Sequence, residues 1–263
     1  MRLMLPTRFF TTIVLCLAAV LLTGCGKNET KSNLELAAKS VNAHDKISAA
    51  KYVEQAVASD PQNPEVLHQV LMIYTRPGFH SEQVHAARNL VEILDKNSGI
   101  TLSDRDKFDM YSTTAMLMDK GDEDVLAEHC YLEAVRLEPD DPMPSNNLAY
   151  FYADHRKNLV QAEKLARYAV SVRPGEPYIE DTMGWVLFQT GQLPEAEVHL
   201  RKGVEGMSDN PDLRYHLATV YAAQGKNEQA KIELYKCLKL SPNHRDSQIL
   251  LNKITTKHTT TTK

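Results

Sequence analysis

Small apolar residues recur along this chain at a fixed spacing, with larger apolar and polar residues alternating around them. Ala127, Ala162, Ala196 and Ala230 stand 35, 34 and 34 residues apart. Each follows another small residue (Ala115, Ala149, Gly184, Ala218) by twelve positions, or thirteen in the second case. Twelve residues beyond them come Pro139, Pro174, Ser208 and Pro242. A period of about 34 is the length of one helix-turn-helix unit, so the pattern predicts antiparallel helix hairpins in series. The last two copies align without a gap: Met183-Gly184-Trp185-Val186-Leu187-Phe188 falls on Leu217-Ala218-Thr219-Val220-Tyr221-Ala222, Gly191 on Gly225 and Ala196 on Ala230. An earlier copy reads Leu36-Ala37, Ala49, Val53, Ala56 and Pro61. Between it and the third lies a degraded one, in which Tyr74, Ala87 and Leu94 hold the pattern loosely around the turn Arg76-Pro77-Gly78. The six repeats run over 30–63, 64–103, 104–141, 142–176, 177–210 and 211–243.

Helix contact explains the skeleton. Helices packed at the closer end of the usual interaxial range, about 8 Å, need small residues where they cross. That requirement predicts close-approach pairs at Ala115 and Ala127, Ala149 and Ala162, Gly184 and Ala196, and Ala218 and Ala230. Gly191 and Gly225, seven residues after the first small residue, can take positive φ and end the first helix of a hairpin. The prolines stop the second helix and start the next segment. One hairpin cannot cover its own apolar face, and stacking buries it against the neighbour. After Pro242, Ile249-Leu250-Leu251 and Ile254 among polar residues predict a final capping helix.

These residues resemble the tetratricopeptide repeat (TPR) family, whose pattern sets a large residue before a small one, an aromatic or Leu three residues on, Ala in the second helix and a closing Pro. The resemblance implies an all-α fold, an α-solenoid wound as a right-handed superhelix. It also implies that the first helix of each hairpin lines a concave groove where protein partners dock. The groove positions would be Asn146, Asn147, Tyr150 and Asp154; Tyr178, Asp181, Trp185, Phe188 and Gln189; and Asp212, Tyr215, His216 and Thr219. Chaperone-binding members clamp a C-terminal carboxylate with cations and Asn. Asn146 is present here, but Asp181 stands where a cation would help, so that clamp is not expected. Aromatics at this spacing also suit a packed core, and the sequence leaves both readings open for Tyr150, Trp185 and Tyr215.

At the N-terminus, Arg2 and Arg8 precede an apolar run from Ile13 to Leu22 that stops at Thr23-Gly24-Cys25. This is the layout of a secretory signal, too short to span a membrane. By itself the run fits an ordinary signal peptide or an N-terminal anchor. Leu22-Thr23-Gly24-Cys25 also resembles the bacterial lipobox, which implies cleavage before Cys25 and lipid on its new N-terminus. Gly26 follows where an inner-membrane retention signal would be Asp, pointing to the outer membrane, periplasmic side. The expected organisation is a lipoprotein signal at 1–24, a tether at 25–32, the repeat solenoid with its cap at 33–254 and a disordered tail at 255–263.

Composition narrows the function classes. The chain has 30 basic and 34 acidic residues; residues 1–24 hold two of the bases and no acid, so the remainder carries a formal charge of −6. Without a basic stripe, nucleic-acid binding is not expected. Cys130 and Cys237 fall three repeats apart and read as buried small hydrophobes. His129-Cys130 and the pair His80 and His85 lack metal-ligand spacing. No phosphate loop or nucleophile elbow occurs, and the acidic pairs Glu123-Asp124 and Asp140-Asp141 fall at hairpin turns. The expectation is a non-enzymatic scaffold without cofactor or small-molecule ligand, serving an envelope assembly or secretion machine. The alternative is a TPR lipoprotein of exopolysaccharide export.

Overall fold

A computed structural model describes residues 25–96 and 102–260. The described residues form thirteen α-helices and no strand. We number them α1 (Cys25–Asn42), α2 (Lys46–Ala58), α3 (Pro64–Ile73), α4 (His80–Lys96), α5 (Asp104–Lys120), α6 (Asp124–Leu137), α7 (Pro142–Asp154), α8 (Leu159–Val172), α9 (Pro177–Gln189), α10 (Leu193–Gly206), α11 (Pro211–Ala223), α12 (Asn227–Leu240) and α13 (Arg245–Thr260). Among them no helix is long and apolar enough to cross a membrane.

The chain divides into two compact units, an N-terminal one ending at Leu137 and a C-terminal one over Glu138–Lys263. In the first, α1 pairs with α2, α3 with α4 and α5 with α6; α1 and α2 also meet α3, and α4 meets α5. In the second, the hairpins are α7–α8, α9–α10 and α11–α12. There each second helix touches the first helix of the next hairpin, and first helices contact one another in the series α7, α9, α11, α13. That is the α-solenoid connectivity, and α13 closes the C-terminal stack against α11 and α12.

The small residues lie at the crossings. Ala115, Ala127, Ala149, Ala162, Ala196, Ala218 and Ala230 are fully buried, and Gly184 is buried with them. A Cβ on Gly184 would fall 2.5 Å from Leu200 Cγ and 3.0 Å from the Ala196 carbonyl oxygen, so α9 and α10 meet too closely for any side chain there. Gly203 does the same on the next turn, where a Cβ would sit 3.0 Å from the Pro177 carbonyl.

One turn geometry recurs. Gly191 and Gly225 take φ of 82° and 75°, and the matching positions of three other hairpins, His44, Asp122 and Arg156, take 57°, 60° and 52°. In all five, the amide after that residue bonds back to a carbonyl near the helix end (Gln192 to Leu187, Lys226 to Tyr221, Lys157 to Tyr152, Glu123 to Met118, Asp45 to Ser40), at 2.8 to 2.9 Å. This six-to-one bond satisfies a carbonyl that the helix end leaves open. Helix starts are equally regular. Asn63, Asp141 and Asn210 accept amide bonds from the first turns of α3, α7 and α11, each just before a Pro at the first helical position.

Two expectations at the ends give way. Residues 25–32, expected as a tether, belong to α1: after Gly26 no residue breaks helix, and Leu34, Ala37 and Val41 further along are buried and hold it in place. At the other end, α13 continues past 255 to Thr260, with the Thr255 and Thr256 hydroxyls donating to carbonyls four residues back at 2.7 and 2.9 Å. The proposed signal at 1–24 lies outside the described residues.

Candidate functional site

The first-helix face of the C-terminal unit gathers the aromatic residues singled out above. Positions three before and one after the small residue point the same way on a helix, so Asn146 and Tyr150 share a face of α7, Asp181 and Trp185 of α9, and Tyr215 and Thr219 of α11. Asn146, Tyr150, Asp181 and Trp185 are buried, whereas Tyr178, Phe188, Tyr215 and Thr219 are half-buried. The strip is therefore two layers, a packed floor and a half-open upper row. For Tyr150 and Trp185 the core reading applies.

His216 organises the floor. It is 3 % exposed, and its Nδ1 lies 3.0 and 2.9 Å from the two carboxylate oxygens of Asp181 on the neighbouring first helix. Its ring stacks on Trp185 with centroids 4.3 Å apart, and Trp185 stacks in turn on Phe188 at 5.1 Å. Tyr150 and Tyr215 flank the imidazole at 6.1 and 5.9 Å. Beyond Tyr215 comes His244, 5.2 Å away, whose Nε2 lies 3.1 Å from Asp212 and whose Nδ1 accepts the Ser247 amide at the start of α13. Phe188, Trp185, His216, Tyr215 and His244 thus form a ladder of rings from α9 to the head of α13.

The charges around the ladder are negative. Burial alone would lower the His216 pKa, but the charge and hydrogen bond of Asp181, with Asp212 and Asp154 behind it, raise it above the ordinary 6.5. Burial raises Tyr150 well above the usual phenol, and Asp154, Asp181 and Asp212 push further; its hydroxyl donates to Asp154 at 3.4 Å. Burial also raises Tyr215, opposed by a bond with Thr219 and reinforced by Asp246 and Asp154. Two buried polar atoms on this face have no hydrogen-bond partner, Asn146 Oδ1 and Trp185 Nε1.

The sequence singled out most of these positions but missed His244 and Asp246. Asp246 could have been found, because it stands 34 residues after Asp212. His244 stands 34 residues after Asn210, at the helix-start position of the repeat, but an imidazole there in place of an Asn or Asp side chain hides the cap it forms on α13. A second charged cleft lies in the N-terminal unit, a cavity of about 300 Å³ lined by Leu94, Asp95, Lys107, Tyr111, His129, Glu133 and Arg136. There Asp95 receives the Tyr111 hydroxyl at 2.6 Å and faces His129 Nε2 at 3.0 Å, while Arg136 pairs with Glu133 at 2.8 Å, so its charges largely satisfy one another. Cys130 and Cys237 are buried free thiols, both with raised pKa because burial disfavours the thiolate. Among the described residues no group of three or more His, Cys, Asp or Glu is arranged to hold a metal. Cys25 is the first residue of α1.

Comparison with known proteins agrees with this architecture. A tetratricopeptide repeat family model matches residues 187–254. A TPR repeat-containing protein of Pseudomonas aeruginosa is 32% identical over 98 residues, 37% of this chain and 17% of that protein. The human protein O-mannosyl-transferase TMTC3 is 29% identical over 113 residues, 43% of this chain and 12% of that protein. The chain thus spans under a fifth of either curated relative. Among solved structures, PilW, a widely conserved type IV pilus biogenesis factor, superposes with a TM-score of 0.58 at 16% identity, covering 84% of this chain and 98% of PilW. The pilF protein of Pseudomonas aeruginosa gives 0.55 at 13% identity, covering 88% of this chain and all of that one. At such identities the structural likenesses establish the fold, a TPR-type solenoid.

Proposed function

We propose that this chain is a non-enzymatic interaction scaffold, held by lipid on Cys25 at the periplasmic side of the outer membrane, which docks protein segments of an envelope assembly or secretion machine on the first-helix face of its C-terminal unit. The observation that carries the docking reading is the two-layer strip. Half-buried Tyr178, Phe188 and Tyr215 stand on a floor held rigid by the His216–Asp181 pair and its stacked rings. Large side chains fixed before a partner arrives give contact area at little entropic cost, which is how binding hot spots are built. Solenoid likeness to PilW, a type IV pilus biogenesis factor, supports an envelope setting. The apolar run ending at Leu22-Thr23-Gly24-Cys25 supports the anchor.

Affinity purification from detergent-solubilised envelopes tests the reading. Wild type recovers a defined partner set, and Phe188→Ala with Tyr215→Ala loses it while the protein stays folded. Full recovery by the double variant contradicts the docking face. Recovery of glycan-synthesis proteins instead of an assembly machine moves the pathway and leaves the face in place.

A further inference from the structure

Four helices of the C-terminal unit each place an aspartate at the ring ladder: Asp154 on α7 accepts the Tyr150 hydroxyl, Asp181 on α9 faces His216, Asp212 on α11 faces His244, and Asp246 on α13 lies near enough to raise the Tyr215 phenol. Asp181 is buried and committed to His216. Asp212 is half-buried beside His244, and Asp154 and Asp246 are exposed. Their fields converge, since Tyr150 and His216 both feel Asp154, Asp181 and Asp212, and Tyr215 feels Asp154 and Asp246. Ile249, 34 residues after Tyr215 and 54% exposed, continues the half-open apolar row onto α13, with Lys253 one turn beyond it.

A second feature of this face points to a ligand. Trp185 and Asn146, both more than nine-tenths buried, keep an indole N–H without an acceptor and an amide oxygen without a donor. Buried polar groups are normally paired, so the floor beneath the half-open row carries two unmet polar atoms of its own.

Resting on the scaffold reading, we propose that this face binds an extended peptide segment of a partner protein that carries Lys or Arg between apolar residues, the cation seated among Asp154, Asp212 and Asp246 and its apolar neighbours on Phe188, Tyr215 and Ile249. Complementary charge selects such a segment over neutral and acidic ones, and the electron-rich ring faces favour a cation as well.

Fluorescence polarisation with the purified chain tests this, using short labelled peptides of one apolar framework that carry Arg, citrulline or Glu at the same positions. The Arg peptide binds roughly tenfold tighter than the citrulline peptide, the product of a few solvent-exposed ion pairs, and the Glu peptide binds most weakly. Asp154→Asn with Asp246→Asn removes most of the Arg preference and leaves citrulline binding alone; the two sites are exposed, so folding is preserved. Equal binding of Arg and citrulline, tightest binding of Glu, or no binding of any peptide overturns the proposal. A concentration-dependent dimer that Phe188→Ala dissociates also overturns it, by placing a second copy on the face. A flat charge series alongside partner recovery that still depends on Phe188 and Tyr215 sinks the charge preference and leaves the scaffold reading standing. Independence from those residues as well sinks both.

Discussion

His216 reaches from α11 back to α9 and sets its Nδ1 within 3.0 Å of both carboxylate oxygens of Asp181, tying two hairpins together through a buried pair 35 residues apart. The pair makes the C-terminal unit sensitive to pH in a definite direction. The folded pKa of His216 is raised above the 6.5 of a free imidazole, so between the two values the folded state holds a proton that the unfolded state has released. Stability from this group is full below about 6.5 and is lost as pH rises through the folded value. Melting temperature should fall across that window, and Asp181→Asn should flatten the slope. A wild-type melting temperature that climbs through the same window would contradict the pairing.

Gly184 predicts a packing defect with a partner-specific remedy. Gly184→Ala drives a methyl into Leu200 Cγ, 2.5 Å from its ideal position, and should cost about 1–3 kcal/mol by overpacking. Because the clash is with a side chain as well as with the Ala196 carbonyl at 3.0 Å, adding Leu200→Ala should cost less than the sum of the single changes. Chemical denaturation of the four-member cycle measures the coupling, and strict additivity would mean that the helices do not meet there.

The hairpin turns predict a stabilising change. Arg156 holds φ of 52° where Gly191 and Gly225 sit in the later hairpins. A side chain in the left-handed region costs about 1–2 kcal/mol, partly offset by the greater freedom of Gly in the unfolded chain. Arg156→Gly should therefore gain up to about 1 kcal/mol, and Gly191→Ala should lose about as much although open space surrounds it. Thermal melts of the two variants should shift in opposite directions.

What was legible in the sequence follows from these positions. Gly184 with Ala196, and Gly191 with Gly225, are written plainly because close approach and positive φ restrict which residues fit. Such constraints identify the fold. The same turn in earlier hairpins was hidden, since His44, Asp122 and Arg156 accept its strain and carry no glycine signature. Groove against core could not be read for Tyr150, Trp185 and Tyr215, because a helical stripe is the same string of letters whether it is covered or open. The neighbours decide: His216 covers Trp185, while Tyr215 meets rings on two sides and stays half-open. The tether expectation fails because a polar stretch with no helix breaker after Gly26 still forms helix when Leu34, Ala37 and Val41 dock it, as α1 shows.

That split between layers predicts a contrast. Trp185→Ala removes a buried ring and should cost roughly 3–5 kcal/mol, with partner loss secondary to the damage. Tyr215→Ala removes a half-buried ring and should cost about 1 kcal/mol while reducing partner recovery sharply. Paired melts and pull-downs check it, and equal destabilisation by the two would merge the layers.

The anchor predicts a fractionation result. A single acyl chain holds proteins only marginally at a membrane, whereas several chains on Cys25 would hold this one stably. Cys25→Ser should release the protein or leave it unprocessed. Wild-type protein found lipid-free by mass spectrometry would end the lipoprotein proposal.

Site-specific photo-crosslinking in cells tests the docking face most directly. A benzophenone amino acid at Phe188, in the half-open row of α9, is compared with one at Ile232, 53% exposed on the second helix α12. A discrete adduct with an envelope protein from position 188, and none from position 232, is the predicted result. Adducts from position 232 with none from 188 would place the partner on the second-helix face and contradict the docking surface proposed here.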